Sequence, residues 1–510
     1  MVERRIPKKS AMQLNDVALG RSNYIILIAA IIIGFGILWT LYYAAFLGYI
    51  LQWILAILSL VIIGIIIKRV GHFKGISGSY GIGFIYIIGT KRGINFIDRI
   101  SKICGKFWEE LPMWGLVLGF GLLSYPLLKG RINKKTYIFG IISIILITEF
   151  VLPYLAVAIQ FIQLPQIQSA LSSSASAPAQ YGINYSLIAL LVISIVTGFS
   201  GYLFFGLIYN AGVVVNGIFL FLTSVSAGSP QTSYVTNNVP GVAPIIPGID
   251  LPLAAGIISL AIILIVHEFS HGVLARRAKV KLKSVGIVLL GIIPIGGFAE
   301  PDDKQVKRLD SIKQTKIFAA GISSNFVLMI IFFVLLFFTF NYGLPSIMVN
   351  NGIFISSVSQ NYPAYGILKP GMHILKWNGY SISNISSLEN ASAMDTPGFI
   401  VNVTTNNGSY LIKAIAVNGT KRGLIGVNLY QDTAIASGIY PSILYFLYTL
   451  FAISFMLNFL VAVINLLPLP LFDGMWIYNA NIKDKRIVKI LLYVALVTIL
   501  ISASQWLFYI

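Results

Sequence analysis

The chain has 510 residues, of which 57% are hydrophobic and only 10% are charged. This composition excludes a soluble globular protein and indicates a polytopic membrane protein. The net charge of +19 does not indicate nucleic-acid binding, because the lysines and arginines cluster in short segments that flank apolar runs.

The first 250 residues are predicted to form an additional transmembrane region. Residues 1–21 are basic and polar, which indicates a retained cytosolic tail. Residues 94–107 are amphipathic and basic and favour a helix lying on the membrane surface, with a short crossing as the alternative. Crossings are predicted as a helical hairpin at residues 24–67, as spans at residues 112–128 and 137–162, and as one long or two short spans at residues 187–222, broken around residues 198–201.

One predicted helix carries the parts of a metal-dependent hydrolase. An apolar run over residues 251–266 ends in the sequence HEFSHG, which begins at His267, and a basic stretch follows it. On a helix, His267 and His271 lie on one face and can bind one Zn²⁺, while Glu268 can act as a general base towards a water molecule. The alternative is a core helix with two incidental histidines, but ionisable side chains in an apolar span indicate a functional site. The basic flank predicts a metal near the cytosolic end of this span.

The next predicted elements surround that site. Residues 284–298 are apolar, β-branched and rich in glycine but too short to cross a membrane comfortably, which predicts a small membrane-embedded β-hairpin beside the metal. Residues 317–342 are predicted to cross outward. Their first residues include Gly321 and Asn325 among several small residues, which suits the close approach of another helix.

A soluble module of about 80 residues follows, because residues 352–431 alternate like strands and lack long apolar runs. Its location is predicted from a cluster of glycosylation acceptor triplets. Five begin at Asn384, Asn390, Asn402, Asn407 and Asn418, and a sixth begins at Asn184 in another loop. Their number indicates an extracytosolic module.

A third metal ligand is predicted near the end of the chain. Residues 440–467 cross back inward, and Pro468 and Pro470 then break the helix before Asp473. A catalytic zinc is bound by three protein ligands and an open position, and the single cysteine, Cys104, provides no thiolate set. Asp473 is therefore the best third ligand, with a helix cap as its alternative role. Residues 490–510 are the last predicted span.

Together these motifs resemble the site-2 proteases, which are intramembrane zinc metalloproteases. The matching residues are HEFSHG at 267–272, Ala320-Gly321 with Asn325, and the stretch from Asn465 through Pro468 to Asp473-Gly474. Residues 363–375 and 377–380 are similar to parts of a PDZ domain. The predicted fold class is a polytopic α-helical membrane protein with a small membrane-embedded β-hairpin and one extramembrane PDZ-like α+β domain. The predicted domains are residues 1–250, 251–345 and 433–510 as the two halves of the protease core, and 346–432 as the PDZ-like domain.

The resemblance implies cleavage of single-span membrane protein substrates within or near their transmembrane segments, as in regulated intramembrane proteolysis. It implies that His267, His271 and Asp473 bind zinc and that Glu268 is the general base. Asn325 and Asn465 are candidates to clamp the substrate backbone or steady the oxyanion, with helix-packing hydrogen bonds as the alternative. The PDZ-like domain is a candidate to bind a peptide, and no nucleic-acid partner is expected.

The sequence allows more than one role for the hairpin, for the N-terminal spans and for the whole protein. An unwound substrate could add as a strand to the predicted hairpin. The N-terminal spans could gate or recognise substrates, or serve only as a packing collar. A proteolytically inactive scaffold or chaperone of the same fold is the alternative function, although neither the ligands nor the base are missing. A transporter also buries ionisable residues, but the spans show no paired halves.

Overall fold

The computed structural model describes residues 85–162, 185–236, 241–290 without positions 244, 246 and 249, 293–416 and 422–508. The predicted cytosolic tail and the hairpin at residues 24–67 lie outside these residues, as do Asn184 and Asn418. The chain divides into two compact units, Met1–Leu335 with Thr449–Ile510, and Leu336–Tyr448. Each unit is described by itself.

The fold is built mainly from apolar helices, and the chain is a multi-pass membrane protein. Among the described residues, six helical segments are long and apolar enough to cross a membrane. These segments are Lys134–Ile159, Ile188–Ser226, Leu253–Arg277, Ser311–Ile347, Ile439–Ile464 and Lys485–Phe508.

Some of the helices follow one another directly, whereas others are separated by strands. In chain order they are α1 (Lys91–Lys102), α2 (Gly105–Phe120), α3 (Ser124–Leu127), α4 (Lys134–Leu146), α5 (Leu155–Ile159), α6 (Tyr185–Ser226), α7 (Ser233–Thr236), α8 (Leu253–Arg277), α9 (Asp303–Arg308), α10 (Ser311–Phe338), α11 (Leu344–Ile347), α12 (Ile385–Ser392), α13 (Ile439–Ile464), α14 (Asp473–Asn481) and α15 (Lys485–Ser504). Single 3₁₀ or π turns extend several of them, at Gly121–Leu123, Ile147–Val151, Leu152–Tyr154, Thr339–Gly343 and Gln505–Phe508.

The predicted span at residues 112–128 is not one continuous helix. Helix α2 ends at Phe120 because Gly121 has a φ of 55°, in the left-handed region that favours glycine. A Cβ at Gly121 would lie 2.2 Å from the carbonyl oxygen of Ile195 in α6, so the two helices approach closely here. Helix α6 is itself broken at Gly198, with a φ of 69°, which is where its sequence predicted a break.

The predicted hairpin has a third strand. Strands β2 (Leu282–Leu290) and β3 (Ile293–Pro301) pair antiparallel, and β1 (Ile85–Thr90) pairs antiparallel with the other side of β2. The expectation of a two-stranded hairpin is therefore incomplete. Strands β1 and β2 lie about 200 positions apart in sequence. Pairing over such a distance produces no local periodicity from which it could be predicted. Within the described sheet, β3 is the edge strand nearest α8.

The described residues of the second unit form two β-sheets and contain the whole of helices α11 and α12. Its strands are β4 (Met348–Val358), β5 (His373–Trp377), β6 (Tyr380–Ser381), β7 (Ile400–Thr405), β8 (Gly408–Lys413), β9 (Ile415–Ala416), β10 (Gly423–Leu424) and β11 (Val427–Ile435). The main sheet has the order β11-β4-β5-β7-β8, and β6 pairs with β5. Asn378 and Gly379 both have positive φ and form the turn from β5 to β6, as an Asn-Gly hairpin requires. Trp377 closes the core by donating from Nε1 to Asp395, at 2.8 Å.

Candidate metal centre

The two histidines of HEFSHG lie one helical turn apart on α8. Their ring centroids are 4.8 Å apart, and each residue keeps 8% of its surface exposed. Helix α8 runs unbroken from Leu253 to Arg277, so the four-residue spacing alone brings the rings to one face. The buried side of α8 therefore presents two imidazoles to a single point.

Asp473 reaches the same point from the other end of the chain. It is the first residue of α14 and follows a loop that starts at Asn465. The loop is closed by the Gly474 N–H, which donates to the Asn465 carbonyl at 2.7 Å. A Cβ at Gly474 would lie 2.4 Å from the carbonyl oxygen of Leu466, so glycine is needed for this closure. The loop thus fixes the backbone immediately beside the carboxylate.

His267, His271 and Asp473 form a three-ligand cluster. Their ligand atoms lie within 4.8 Å of one another, and Asp473 Oδ2 is 3.2 Å from His267 Nε2 and 3.3 Å from His271 Nε2. Ligands of a tetrahedral zinc, each at about 2.0–2.2 Å from the ion, are about 3.3 Å apart, so these two separations fit one ion. The buried Asp473 Oδ2 also has no hydrogen-bond donor among the described residues. A cation between the three atoms would satisfy it.

Gly321 supplies the space in which such an ion would lie. It is on α10, opposite the two imidazoles, and a Cβ built there would be 2.5 Å from Nε2 of both His267 and His271. Real Cβ atoms essentially never approach nitrogen so closely. The absent side chain therefore leaves a recess at the point where both lone pairs converge.

The far nitrogen of His271 is held by the backbone of α10. His271 Nδ1–H donates to the Ile317 carbonyl at 2.7 Å. This bond selects the tautomer whose Nε2 carries a free lone pair, which is the form a metal requires. Helix α10 therefore orients one ligand and, through Gly321, makes room for the ion.

The far nitrogen of His267 faces Asn325. Nδ2 of this amide lies 3.1 Å from His267 Nδ1, and its Oδ1 is a buried acceptor without a donor among the described residues. A half-turn of the amide brings Oδ1 to an Nδ1–H and frees Nε2 for the metal. The residue is 0% exposed and contacts the imidazole, which suits the helix-packing hydrogen bond predicted as the alternative, while the substrate contact stays a prediction. Its position is that of a residue supporting a ligand.

Substitution of Asn325 tests this arrangement. In Asn325→Leu the imidazole loses its partner, and we expect zinc binding to weaken by about 10- to 100-fold, as for other outer-shell partners of metal-bound histidine. Asn325→Asp keeps an acceptor for Nδ1–H and should retain zinc. The measurement is a chelator competition on the purified protein. Equal loss in both variants would contradict an acceptor role for Asn325.

Glu268 lies between the histidines in sequence and beside β3 in space. Its Oε2 accepts a hydrogen bond from the Ala299 N–H at 3.3 Å, and the residue is half-buried. The contact uses an N–H at the outer edge of β3. Glu268 is thus held next to the cluster while a strand edge faces it.

The remaining predicted site residue, Asn465, is half-buried at the start of the loop before Asp473. Its carbonyl closes that loop, and its side chain remains a candidate for substrate contact. Sequence reasoning missed the roles of Gly321 and of the Ile317 carbonyl. From the sequence, Gly321 is a small residue for helix packing and part of the family resemblance, but its contact with the imidazoles is not predicted, and a backbone carbonyl gives no signal in sequence.

Comparisons with known proteins identify the family of the part of the chain that contains this site. Residues 255–502 match the family model described as Peptidase family M50. The matched range includes both histidines, Gly321 and Asp473, and the predicted resemblance to the site-2 proteases is confirmed for this part of the chain, while the similarity to a PDZ domain stays a prediction. Helices α1–α7 lie N-terminal to the matched residues.

Relatives of the chain include the following three proteins. An uncharacterized protein of Methanocaldococcus jannaschii is 29% identical over 232 residues, which are 45% of this chain and 58% of the relative. A protein of Clostridium acetobutylicum, named as a candidate zinc metalloprotease, is 25% identical over 203 residues, 35% of this chain and 54% of the relative. A membrane-bound transcription factor site-2 protease homolog of Arabidopsis thaliana is 27% identical over 158 residues, 31% of this chain and 30% of the relative. The chain thus spans between 30 and 58% of the length of these relatives.

Proposed function

Because residues 255–502 are a peptidase family M50 domain, we propose that the protein is a zinc-dependent intramembrane protease. The observation that carries the proposal is the buried cluster of His267, His271 and Asp473, whose unpartnered carboxylate oxygen and spacing suit one zinc ion. Gly321 leaves the recess that the ion needs.

In this proposal His267, His271 and Asp473 would hold the zinc. Zinc bound there would supply a Lewis acid that polarises the scissile carbonyl and makes water a nucleophile near neutral pH. Glu268 takes the proton from the attacking water and later gives it to the leaving amine. The Ala299 N–H holds one carboxylate oxygen of Glu268 and leaves the other free for this transfer.

We propose that the substrates are single-span membrane proteins, cut within or near their transmembrane segments, as in regulated intramembrane proteolysis. A helical peptide bond is shielded by its own hydrogen bonds, so the substrate must unwind before attack. The hairpin of β2 and β3 would lie at membrane depth and receive the unwound stretch. Strand β1 already occupies the free side of β2, which favours addition along β3, beside Glu268. Asn465 is a candidate to bind the added backbone.

We further propose that the β-sheet unit is a PDZ-like, extracytosolic domain that binds a peptide, and that the N terminus is cytosolic. The Asn378-Gly379 turn and the capped helix α12 of the β-sheet unit are compatible with a PDZ-like domain. Three of its acceptor asparagines, Asn390, Asn402 and Asn407, have exposed side chains that a glycan could reach.

Metal removal tests the function. We expect the purified full-length protein to contain about one zinc per chain and to cleave a single-span model substrate reconstituted with it. Chelation should abolish cleavage, and added zinc should restore it. A chain that binds no zinc would refute the proposal at its first step. Bound zinc without cleavage of any of a panel of substrates would favour the inactive scaffold.

A further inference from the structure

The C-terminal part of helix α2 is buried although it precedes the matched protease domain by more than 100 residues. The ten residues Leu111–Phe120 are all buried, whereas residues 105–110 are exposed or half-buried. A helix of a lipid-facing collar would expose one side to the membrane, whereas a helix buried on all sides belongs to a core. The contacts of α2 reach each of the segments that form the metal centre.

The first contact is with α10, the helix that carries Gly321. A Cβ at Gly115 of α2 would lie 2.0 Å from Oγ and 2.8 Å from Cα of Ser323, two residues after Gly321. Only the small side chain of Ser323 lies between the two helix backbones, as at small-residue contacts in membranes. A displacement of α2 would move α10 at the metal centre itself.

The second contact of α2 is ionic and links it to both α8 and α10. Glu109 of α2 accepts from Arg277 Nη2 at 3.0 Å and from Lys316 Nζ at 2.8 Å. Arg277 is the last residue of α8, and Lys316 precedes Ile317, whose carbonyl holds His271. Burial by itself raises the pKa of the Glu109 carboxyl, but Lys316 and Arg277 outweigh it, so this pKa lies below its ordinary value. Glu109 is thus a charged bridge between the two helices.

The third contact is with the segment that carries Asp473. A Cβ at Gly119 would lie 2.4 Å from a methyl carbon of Leu466, which belongs to the loop closed by Gly474. The ring of Phe120 packs edge-on against Tyr478 of α14, with centroids 5.6 Å apart. Helix α2 therefore touches the loop on one side of Asp473 and the helix on the other.

We infer that α2 is a positioning element of the metal centre, which clamps α8, α10 and the Asp473 segment in the geometry that binds zinc. The inference rests on the proposed function for the identity of the metal. It assigns the α2 residues that make these three contacts, Glu109, Gly115, Gly119 and Phe120, to the support of the metal centre, and not to a packing collar or a substrate gate.

Glu109→Gln removes the charge bridge at nearly constant volume. We expect zinc binding to weaken about tenfold, in the range seen when indirect supports of a metal site are lost. Its control is Glu110→Gln, because Glu110 accepts a hydrogen bond from Thr136 of α4 and so ties α2 to its own region. Chelator competition on the full chain in detergent measures the affinity, and thermal unfolding of the same samples is recorded beside it.

Gly115→Ala wedges α2 away from α10, and we expect zinc binding to weaken by about tenfold or more. Ser323→Gly in the same chain removes the two atoms nearest the new methyl group and should restore much of the affinity. Gly206→Ala on α6, where nothing lies within 4 Å of the added carbon, is the control. If Gly115→Ala does not accumulate as folded protein, the zinc affinity of Glu109→Gln alone tests the inference.

A merely structural contribution would lower the unfolding temperature and leave the zinc affinity of the folded protein unchanged. Wild-type affinity in both Glu109→Gln and Gly115→Ala would therefore overturn the inference, while a zinc-binding, active wild type would leave the proposed function intact. A wild type without zinc would instead refute the proposed function, and the inference with it.

Discussion

Replacing Glu268 by glutamine is expected to reduce cleavage by about 10²–10⁴-fold while zinc remains bound, because removal of a general base typically costs that much. Glutamine keeps the size of the side chain and can still accept from the Ala299 N–H. The three ligands are unchanged, so metal content should stay at the wild-type value. Initial rates on the single-span substrate and zinc analysis of the same preparation make the measurement.

Glu110→Gln is the matched control, since it removes a carboxylate of the same type far from the cluster in sequence and bonded to Thr136. It should cleave at the wild-type rate. If Glu268→Gln cleaves as fast as the wild type, another group takes the proton. If it loses zinc as well as activity, Glu268 supports the metal site, and its part in proton transfer has to be measured by another variant.

Gly321→Ala is expected to weaken zinc binding and to reduce cleavage with it. The new methyl group would enter the recess, 2.5 Å from both Nε2 atoms, where the ion would otherwise lie. Overpacking a tight site costs about 1–3 kcal/mol, which corresponds to about 5- to 150-fold in affinity. Zinc affinity by chelator competition is the direct measurement, and cleavage at saturating zinc is the second.

Gly206→Ala again provides the control, because it places the same methyl group on a helix in open space. It should leave zinc affinity and cleavage unchanged. Wild-type zinc affinity in Gly321→Ala would mean that the ion does not lie between α8 and α10. The geometry proposed for the ligands would then have to be abandoned, even if the chain proved to be a zinc protease.

Much of the site could be predicted from the sequence because its chemistry is local. His267, Glu268 and His271 share one turn of one helix, so their spacing alone indicates a metal site. Asp473 required a further step, the need of a catalytic zinc for a third ligand, since it lies about 200 residues away. The spans of α4, α6, α8, α10, α13 and α15 were likewise predicted from their length and hydrophobicity, properties of a single segment.

The contacts that support the metal centre were decided only by the tertiary structure. Nothing in the local sequence indicates that Asn325 lies against His267, that the Ile317 carbonyl orients His271, or that Gly321 forms the recess for the ion. These contacts depend on how α8 and α10 pack, and helix packing is decided by the shapes of two surfaces together. For this reason the contact between Asn325 and the His267 imidazole could not be predicted from the sequence.

In the N-terminal region, too, the sequence determined some features and the tertiary structure determined others. Its apolar runs established by themselves that it lies in a membrane, because the hydrocarbon core demands long segments without charge. Only the tertiary structure decided that β1 completes the sheet of β2 and β3, and that α2 lies against α8, α10 and the loop before Asp473. The hydrophobicity of a segment shows whether it lies in the membrane or in water. Which other segments it contacts depends on close packing and on ion pairs between residues that are hundreds of positions apart in sequence.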